Sequence, residues 1–168
     1  EPETSRVVSD PAVCQCTSAR AATSVRAKGL DLRTNVKRHT GPEIAERQLA
    51  AGAVGLTVAT LGEAEVFAEH GAKDIFIAYP LWVGPRQADR LRKLAVKARI
   101  AVGLDSREAA ETMAASLGRP VGTVDVVLEI ACGHTRRRKA PARVLGAAPA
   151  APRAGRRTRG GCTLPAPT

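Results

Sequence analysis

Five short apolar runs alternate with four segments of helical character between Leu30 and Ala131, at a spacing of roughly 20–25 residues per pair. This rhythm is typical of βα repeats, which build a parallel sheet with helices packed on it. The runs are apolar nearly throughout, which favours strands buried on both faces. The predicted strands are Leu30–Lys37, Val54–Thr60, Asp74–Pro80, Arg99–Asp105 and Thr123–Ala131, and the predicted helices between them are Gly41–Gly52, Leu61–Gly71, Pro85–Ala98 and Ser106–Gly118.

Two architectures are compatible with this rhythm, an open doubly wound sheet and a (β/α)₈ barrel. A barrel takes about 250 residues, whereas this chain has 168. If the fold is a barrel, the chain therefore supplies only about five of its βα units, counted from the predicted strands. Residues 1–28 show no clean period, although a short helix is expected near Thr17–Ala27.

Residues with defined backbone preferences mark the predicted helix ends. Pro42 suits the first turn of its helix, and Gly52 suits the position after the last turn. Ser106 can cap the last predicted helix, and Glu108 suits the first turn of that helix. Leu91 and Leu94 share one helix face, so we expect them in the core.

The net charge of +10 comes from the end of the chain. Of 26 Lys and Arg residues, nine lie in residues 136–168, which hold no acid, so 17 basic residues stand against all 16 acidic ones elsewhere. A nearly neutral body argues against a folded nucleic-acid interface. The Arg-, Pro- and Ala-rich tail, residues 137–168, is predicted to be disordered and to bind nucleic acid only nonspecifically, because it lacks aromatic residues for base stacking.

The remaining composition argues for a cytoplasmic protein. Cys14, Cys16, Cys132 and Cys162 lack the paired spacing of a zinc site, so reduced thiols are expected. No run of 18 apolar residues occurs, so no membrane span is expected. The polar, acidic N-terminal stretch argues against a secretory signal.

Polar residues follow each predicted strand, where α/β folds gather their reactive groups. They are Lys37, Thr60, Tyr79, Asp105 and the segment Cys132–Arg136. A lysine with cationic neighbours and partial burial retains some uncharged amine, which attacks an aldehyde such as that of pyridoxal phosphate. A lone lysine at a strand end is more often a solvated charge, so the pattern leaves both interpretations open.

Ordered blocks of residues between Gly29 and Arg136 decide between them. The first block has the pattern Arg-Pro-His-x-Lys-Thr-His-Lys, which is matched by Arg33, Lys37 and His39, and the second is Ala-Gly-Ala, matched by Ala51–Ala53. The third is Thr-x-Ala-Thr-x-Gly-Glu-Ala-Glu, matched by Thr57, Ala59, Thr60 and Gly62–Glu65, and the fourth is Ala-Tyr-Pro, matched by Ala78–Pro80. The last is Glu-x-Asp-x-Gly-His-x-Arg-x-Gly, matched by Glu129, Gly133, His134 and Arg136. Together these blocks resemble the D-threonine aldolase and metal-activated D-serine dehydratase family, which are fold-type III pyridoxal-phosphate enzymes.

The resemblance implies a partial (β/α)₈ TIM barrel of the alanine racemase N-terminal type over residues 29–136. It implies a lyase acting on β-hydroxy-D-amino acids, with pyridoxal 5′-phosphate as cofactor and Lys37 as the catalytic Schiff-base lysine. Arg136 and His39 would also bind the cofactor, and a homodimer is expected. The family uses a divalent metal, but no position of this chain matches its ligands.

Departures from the family pattern limit these expectations. The replaced positions are Thr34, Asn35, Arg38, Thr40, Ala131 and Arg138. After Arg136 the acids and the periodicity vanish together, which favours a truncated or frameshifted relative, testable by translating the coding DNA in its other two frames. An unclosed barrel exposes strand edges and an apolar face, so we expect aggregation or a requirement for a partner.

Three functional hypotheses stay open at the level of sequence. The first is a pyridoxal-phosphate lyase, complete or incomplete. The second is a noncatalytic pyridoxal-phosphate-binding barrel protein. The third is an inactive fragment with a basic tail and no cofactor. Cofactor binding and turnover separate the three.

Several residues of the matched blocks have simpler structural interpretations as well. His39 and His134 are predicted to make local hydrogen bonds, and Glu63 and Glu65 to favour the amino end of their helix. Tyr79, beside Pro80, is predicted to pack rather than to act in catalysis.

Overall fold

A computed structural model describes residues 10–37, 39–118 and 124–128. The predicted tail and the segment Cys132–Arg136 lie outside the described residues. The described strands are β1 (Arg33–Asn35), β2 (Gly55–Val58), β3 (Asp74–Ile77), β4 (Arg99–Leu104) and β5 (Val124–Leu128), and the helices are α1 (Pro11–Arg26), α2 (Pro42–Ala50), α3 (Leu61–Glu69), α4 (Pro85–Lys97) and α5 (Arg107–Leu117).

The strand order decides between the two predicted architectures. The five strands form one parallel sheet in the order β1-β2-β3-β4-β5, so each strand pairs with the next strand along the chain. A doubly wound sheet reverses its order at a switch point. The consecutive order is that of a (β/α)₈ barrel, of which the described residues form five strands with their intervening helices.

The helix ends follow local chemistry. Helices α2 and α4 both begin at proline, and the side chains of Thr60 and Ser106 accept hydrogen bonds from the amides of Glu63 and Ala109 as N-caps. The predicted cap at Ser106 is thereby confirmed. Gly52 has φ +107°, the left-handed region that glycine adopts without steric cost, as its predicted position requires.

Helix α1 is longer than the sequence predicted. It begins at Pro11 rather than near Thr17, because the carboxylate of Asp10 caps it by accepting from the amides of Ala12 and Val13 at 2.8 and 3.4 Å. Only Ala22 of this helix is buried. The helix therefore lacks an apolar stripe, which agrees with the absence of a clean period in this part of the sequence.

The core lies between the sheet and its helices. Two rows of side chains cross β2 to β5 and are buried throughout: Leu56, Ile75, Ile100 and Val124, then Val58, Ile77, Val102 and Val126. Leu91 and Leu94 of α4 are buried too, as predicted.

Burial on both faces of the strands was predicted, and this expectation is wrong for the described residues. The alternate positions Thr57, Phe76, Ala101 and Asp125 also lie side by side across four strands, but they are only partly buried. The strands have polar and charged residues on this second face, where no described helix covers them.

Four charged side chains cross the second face near the amino ends of the strands, and we refer to them as the charge ladder. Arg33 on β1 lies 2.8 Å from Asp74 on β3, Asp74 lies 3.7 Å from Arg99 on β4, and Arg99 lies 2.6 Å from Asp125 on β5. The hydrogen bond from Arg99 to Asp125 raises the pKa of the Arg99 guanidinium above its ordinary value. Positive and negative side chains therefore alternate along the sheet in the direction from β1 to β5.

Gly55 on β2 lets the charge ladder pass. A Cβ atom at this position would lie 2.5 Å from Nη1 of Arg33 and 2.5 Å from the carbonyl oxygen of Asp74. Both distances are shorter than van der Waals contact, so only glycine leaves room for Arg33 to reach across β2 to β3.

Polar contacts on the helix side link neighbouring helices. Arg90 of α4 holds Glu65 of α3 through two hydrogen bonds of 2.8 and 2.6 Å. Arg92 of α4 donates to the carbonyl oxygens of Ser116 and Leu117, the last residues of α5. These oxygens lack partners within their own helix, so Arg92 satisfies them. Within the described ranges, no helix is long and apolar enough to cross a membrane.

Candidate functional site

The predicted site residues meet at one edge of the sheet. All five strands run in the same direction, so their carboxyl ends share an edge. Lys37 lies two residues after β1, Thr60 two after β2, Tyr79 two after β3 and Asp105 directly after β4. Arg136 lies outside the described residues.

A short turn holds the backbone of Lys37. The amide of Thr40 donates to the carbonyl of Val36 at 3.0 Å, and the amide of Lys37 donates to Oδ1 of Asn35 at 3.0 Å. Val36 is fully buried and donates its amide to the carbonyl of Thr57 on β2. The lysine therefore follows a buried residue, Val36, whose backbone amide is hydrogen-bonded to the neighbouring strand β2.

Thr40 closes this turn with φ +46°, a left-handed conformation that residues other than glycine rarely adopt. It is the one such residue in the part of the chain that the structure describes. Such conformations cluster at ligand sites because the surrounding structure has to hold them in place. The strained residue lies three positions from the candidate lysine.

The side chain of Lys37 is exposed, so the partial burial under which a lysine retains uncharged amine is not found here. The turn projects beyond the end of β1. An exposed amine is accessible to an aldehyde, so the geometry permits imine chemistry.

His39 lies in the same turn and has one ring nitrogen in use. Its Nδ1 accepts a hydrogen bond from the amide of Gly41 at 3.2 Å, which confirms the predicted local hydrogen bond. In the neutral ring the proton therefore resides on Nε2. That Nε2 is buried and makes no hydrogen bond to a described residue. The turn thus holds a donor ready for an incoming acceptor.

Glu63 and Thr60 fix the loop after β2 by reciprocal hydrogen bonds. Glu63 Oε2 accepts from the amide of Ala59 at 2.7 Å, and Thr60 Oγ1 accepts from the amide of Glu63 at 3.1 Å. This arrangement resembles a capping box displaced by one residue. It confirms the prediction that Glu63 serves the amino end of its helix.

Glu65 has a different role from the one predicted. It pairs with Arg90 on the neighbouring helix instead of interacting with the start of its own. The hydrogen bond from Arg90 lowers the pKa of the Glu65 carboxyl below its ordinary value, and the same contact raises the pKa of Arg90. The pair joins α3 to α4 on the outer surface.

The loop after β3 presents two aromatic side chains at the same edge. Tyr79 is 53% exposed and Trp82 is 61% exposed, whereas Val83 is fully buried and anchors the loop. The exposure of Tyr79 contradicts the prediction that it packs. Trp82 was missed by the sequence reasoning, although an aromatic residue between Pro80 and Gly84 after a strand is a recognisable signal of a site loop.

Metal ligation is the remaining chemistry to place. Among residues 10–37, 39–118 and 124–128, no three His, Cys, Asp or Glu side chains lie close enough together to hold a metal ion. We therefore assign no described residue to a metal.

A singly wound parallel sheet with polar residues gathered at its carboxyl edge defines a (β/α) barrel domain. The chain belongs to the alanine racemase N-terminal domain family, which matches it over residues 22–159. This range begins before Gly29 and ends after Arg136, the limits of the resemblance seen in the motifs.

The sequence comparison and the structure comparison both find similarity to a D-threonine aldolase and to a D-threo-3-hydroxyaspartate dehydratase. An uncharacterized protein of Mycobacterium tuberculosis is 50% identical over 108 residues, which are 64% of this chain and 63% of that protein. The crystal structure of D-threonine aldolase from Filomicrobium marinum superposes with a TM-score of 0.76 and 30% identity, covering 90% of this chain and 41% of that one. D-threo-3-hydroxyaspartate dehydratase from Delftia sp. HT23 gives a TM-score of 0.69 and 32% identity, covering 84% and 37%. The chain thus spans less than half the length of either enzyme.

Proposed function

We propose that this chain is a pyridoxal-phosphate-dependent lyase domain that acts on β-hydroxy-D-amino acids, with Lys37 as the lysine that binds the cofactor. The observation that carries the proposal is the position of Lys37, exposed on a hydrogen-bonded turn at the carboxyl edge of a barrel sheet. The similarity to D-threonine aldolase and D-threo-3-hydroxyaspartate dehydratase supports the reaction class.

The described residues fit the aldehyde end of pyridoxal phosphate. An accessible primary amine on a defined backbone suits condensation with the aldehyde, and the N–H at His39 Nε2 suits an oxygen acceptor close by. When bound, the cofactor supplies an electron sink for bond cleavage at the α-carbon of an amino acid. We propose that Lys37 holds the cofactor, that His39 hydrogen-bonds to it, and that Arg136 reaches the cofactor or the substrate.

A second candidate is a noncatalytic pyridoxal-phosphate-binding domain. The observation that favours it is the length of the match, which covers 41% of the D-threonine aldolase chain. More than half of the length of that enzyme therefore lies outside the match. Binding without turnover is the result that this candidate expects.

Covalent trapping tests cofactor binding at Lys37. The full chain is mixed with pyridoxal phosphate, reduced with borohydride, digested and mapped by mass spectrometry. We expect the modification on Lys37, and its loss in Lys37→Ala. Lys73→Ala is the matched control, because Lys73 is also exposed but directly precedes β3 at the opposite edge of the sheet. Labelling spread over both lysines would refute a specific site.

Fluorescence provides an independent readout. Trp82 is the one tryptophan of the chain and lies in the loop after β3, at the same edge as Lys37. We expect pyridoxal phosphate to quench its emission in the wild type and in Lys73→Ala, but much less in Lys37→Ala. Assays with D-threonine and D-serine then separate the lyase from the noncatalytic binder. Turnover that depends on Lys37 supports the first, and specific labelling without turnover supports the second.

A further inference from the structure

Asn35 ends β1, directly before the turn that carries Lys37. Its Cα pairs with that of Thr57, so Asn35 lies on the second face of the sheet, as Arg33 does. Position 35 is also one of the departures from the family pattern, which has histidine there. The matched pattern therefore does not account for the asparagine.

The side chain of Asn35 closes a ring with the backbone two residues further on. Its Oδ1 accepts a hydrogen bond of 3.0 Å from the amide of Lys37. Asparagine forms such a ring, an Asx turn, because its short side chain places the oxygen within reach of that amide. The bond restrains the backbone of Lys37, and with it the direction in which the Cβ atom of the lysine leaves the chain.

The backbone on both sides of Lys37 is held as well. The amide of Val36 donates to the carbonyl of Thr57, and the carbonyl of Val36 accepts from the amide of Thr40, each at 3.0 Å. Val36 is fully buried, and Thr40 has the left-handed φ of +46°. These contacts set the path of the turn, and the bond to Asn35 sets the orientation of the lysine within it.

We propose that Asn35 is a positioning residue for Lys37, an inference that rests on the proposed function. Condensation of an amine with an aldehyde forms a C=N bond and releases water, and it requires the amine nitrogen close to the aldehyde carbon. The stem of a lysine is flexible, so a fixed Cα–Cβ direction reduces the volume that the amine samples. Asn35 acts on this placement and not on the charge of the amine, because its oxygen accepts from the backbone amide.

Cofactor affinity of variants at position 35 is the first test, measured by equilibrium dialysis of the full chain with pyridoxal phosphate. Asn35→Leu keeps the size of the side chain and removes its oxygen, and we expect the Kd to rise about fivefold, the equivalent of one ordinary hydrogen bond. Asn35→Asp retains an oxygen with the same reach and should stay within about twofold of the wild type. Circular dichroism confirms that the variants fold.

Ser106→Ala is the matched control. It removes another hydrogen bond from a backbone amide, that of Ala109, to a side-chain oxygen, and it lies at the same edge of the sheet, after β4. The Kd of this variant should equal that of the wild type. Equal weakening by Ser106→Ala and Asn35→Leu would mean that the loss reflects general loosening of the edge, and it would overturn the positioning role.

The pH profile of borohydride trapping separates positioning from an effect on the charge of the amine. We expect less trapping at Lys37 in Asn35→Leu at every pH, with the midpoint of the profile unchanged. Asn35→Asp adds a carboxylate, which favours a charged amine, so it is compared at the plateau of its own profile, where it should match the wild type. A shifted midpoint in Asn35→Leu, or an equally low plateau in both variants, would contradict the proposal.

Hydrogen exchange without cofactor, followed by NMR, measures the bond itself. The amide of Lys37 should exchange about fivefold faster in Asn35→Leu than in the wild type, whereas the amide of Ala109 should not change. If Asn35→Leu matches the wild type in Kd while the wild type is labelled at Lys37, the proposed function stands and the positioning role is refuted. If wild-type Lys37 is labelled no more than Lys73, the proposed function is refuted, and the bond to Asn35 has only a structural role.

Discussion

Gly55→Ala is the most discriminating change in the fold, because it adds one methyl group at a position that has no room for it. The new Cβ would lie 2.5 Å from the carbonyl oxygen of Asp74 and 3.1 Å from its Cβ on the neighbouring strand. The backbone oxygen would have to move by roughly 0.9 Å to restore an ordinary contact near 3.4 Å. The guanidinium of Arg33, also at 2.5 Å, can rotate away, but only by leaving Asp74.

The expected magnitude follows from opposing contributions. Overpacking of a sheet interior costs about 1–3 kcal/mol, and loss of a partly exposed ion pair costs about 0.2–1 kcal/mol. Replacing glycine by alanine in a strand recovers about 0.5–1 kcal/mol, because the unfolded chain loses freedom. We expect the free energy of unfolding to fall by about 2 kcal/mol, which is the sum of the mid-range values of these contributions.

Urea unfolding followed by circular dichroism measures this change. With an m-value of about 1–3 kcal/mol per molar, the midpoint should fall by roughly 1 M. Gly62→Ala is the control, because its Cβ would approach nothing closer than 3.9 Å and it lies in the first turn of α3. That variant should be as stable as the wild type or slightly more stable. If Gly55→Ala behaves like Gly62→Ala, the steric reasoning is wrong.

Three further changes test the core, a cap and an ion pair. Leu91→Ala deletes a fully buried side chain and should cost about 2–5 kcal/mol in urea unfolding; a loss below 1 kcal/mol, roughly the exposed-site level, would argue that α4 is not packed as described. Thr60→Ala removes the N-cap of α3 and should cost about 1 kcal/mol, whereas Thr60→Ser should retain most of it, and equal losses would exclude capping. The pair of Glu65 and Arg90 should give a pH-dependent contribution, because the lowered pKa of Glu65 makes its stabilisation complete above the ordinary value of 4.5 and lost as the pH falls through the folded-state value. Glu65→Gln should therefore be less stable than the wild type by about 0.2–1 kcal/mol near neutral pH and equally stable in strong acid, and a difference that persists in acid would contradict the ion pair.

The elements that the sequence predicted well were those with local signals. Proline at the start of α2, serine before α5 and glycine after α2 each constrain one turn, so their positions carry over directly to the fold. The parallel sheet was predictable because its strands recur at a steady spacing. The spacing alone did not separate a barrel from a doubly wound sheet, because strand order depends on contacts between units; the family resemblance predicted the barrel, and the strand order confirms it.

The features that sequence reasoning missed are non-local. The charge ladder joins Arg33 to Asp74 across 41 positions, and no spacing rule connects two charges within strands that otherwise look apolar. Helix α1 was placed too late, because a helix with one buried residue shows no stripe. The exposure of Lys37 could not be decided from sequence, because exposure at a strand end depends on which neighbouring elements cover it.

The consecutive strand order has a consequence for how the strands of the sheet depend on one another. Each strand hydrogen-bonds only to strands that are its neighbours along the chain, so the sheet behaves as a one-dimensional stack with nearest-neighbour coupling. A boundary drawn after any βα unit removes no strand from between two others, and it leaves a block of local contacts intact. Each boundary between two βα units therefore interrupts the pairing of only two strands, and the strands on either side of it keep all their other sheet contacts.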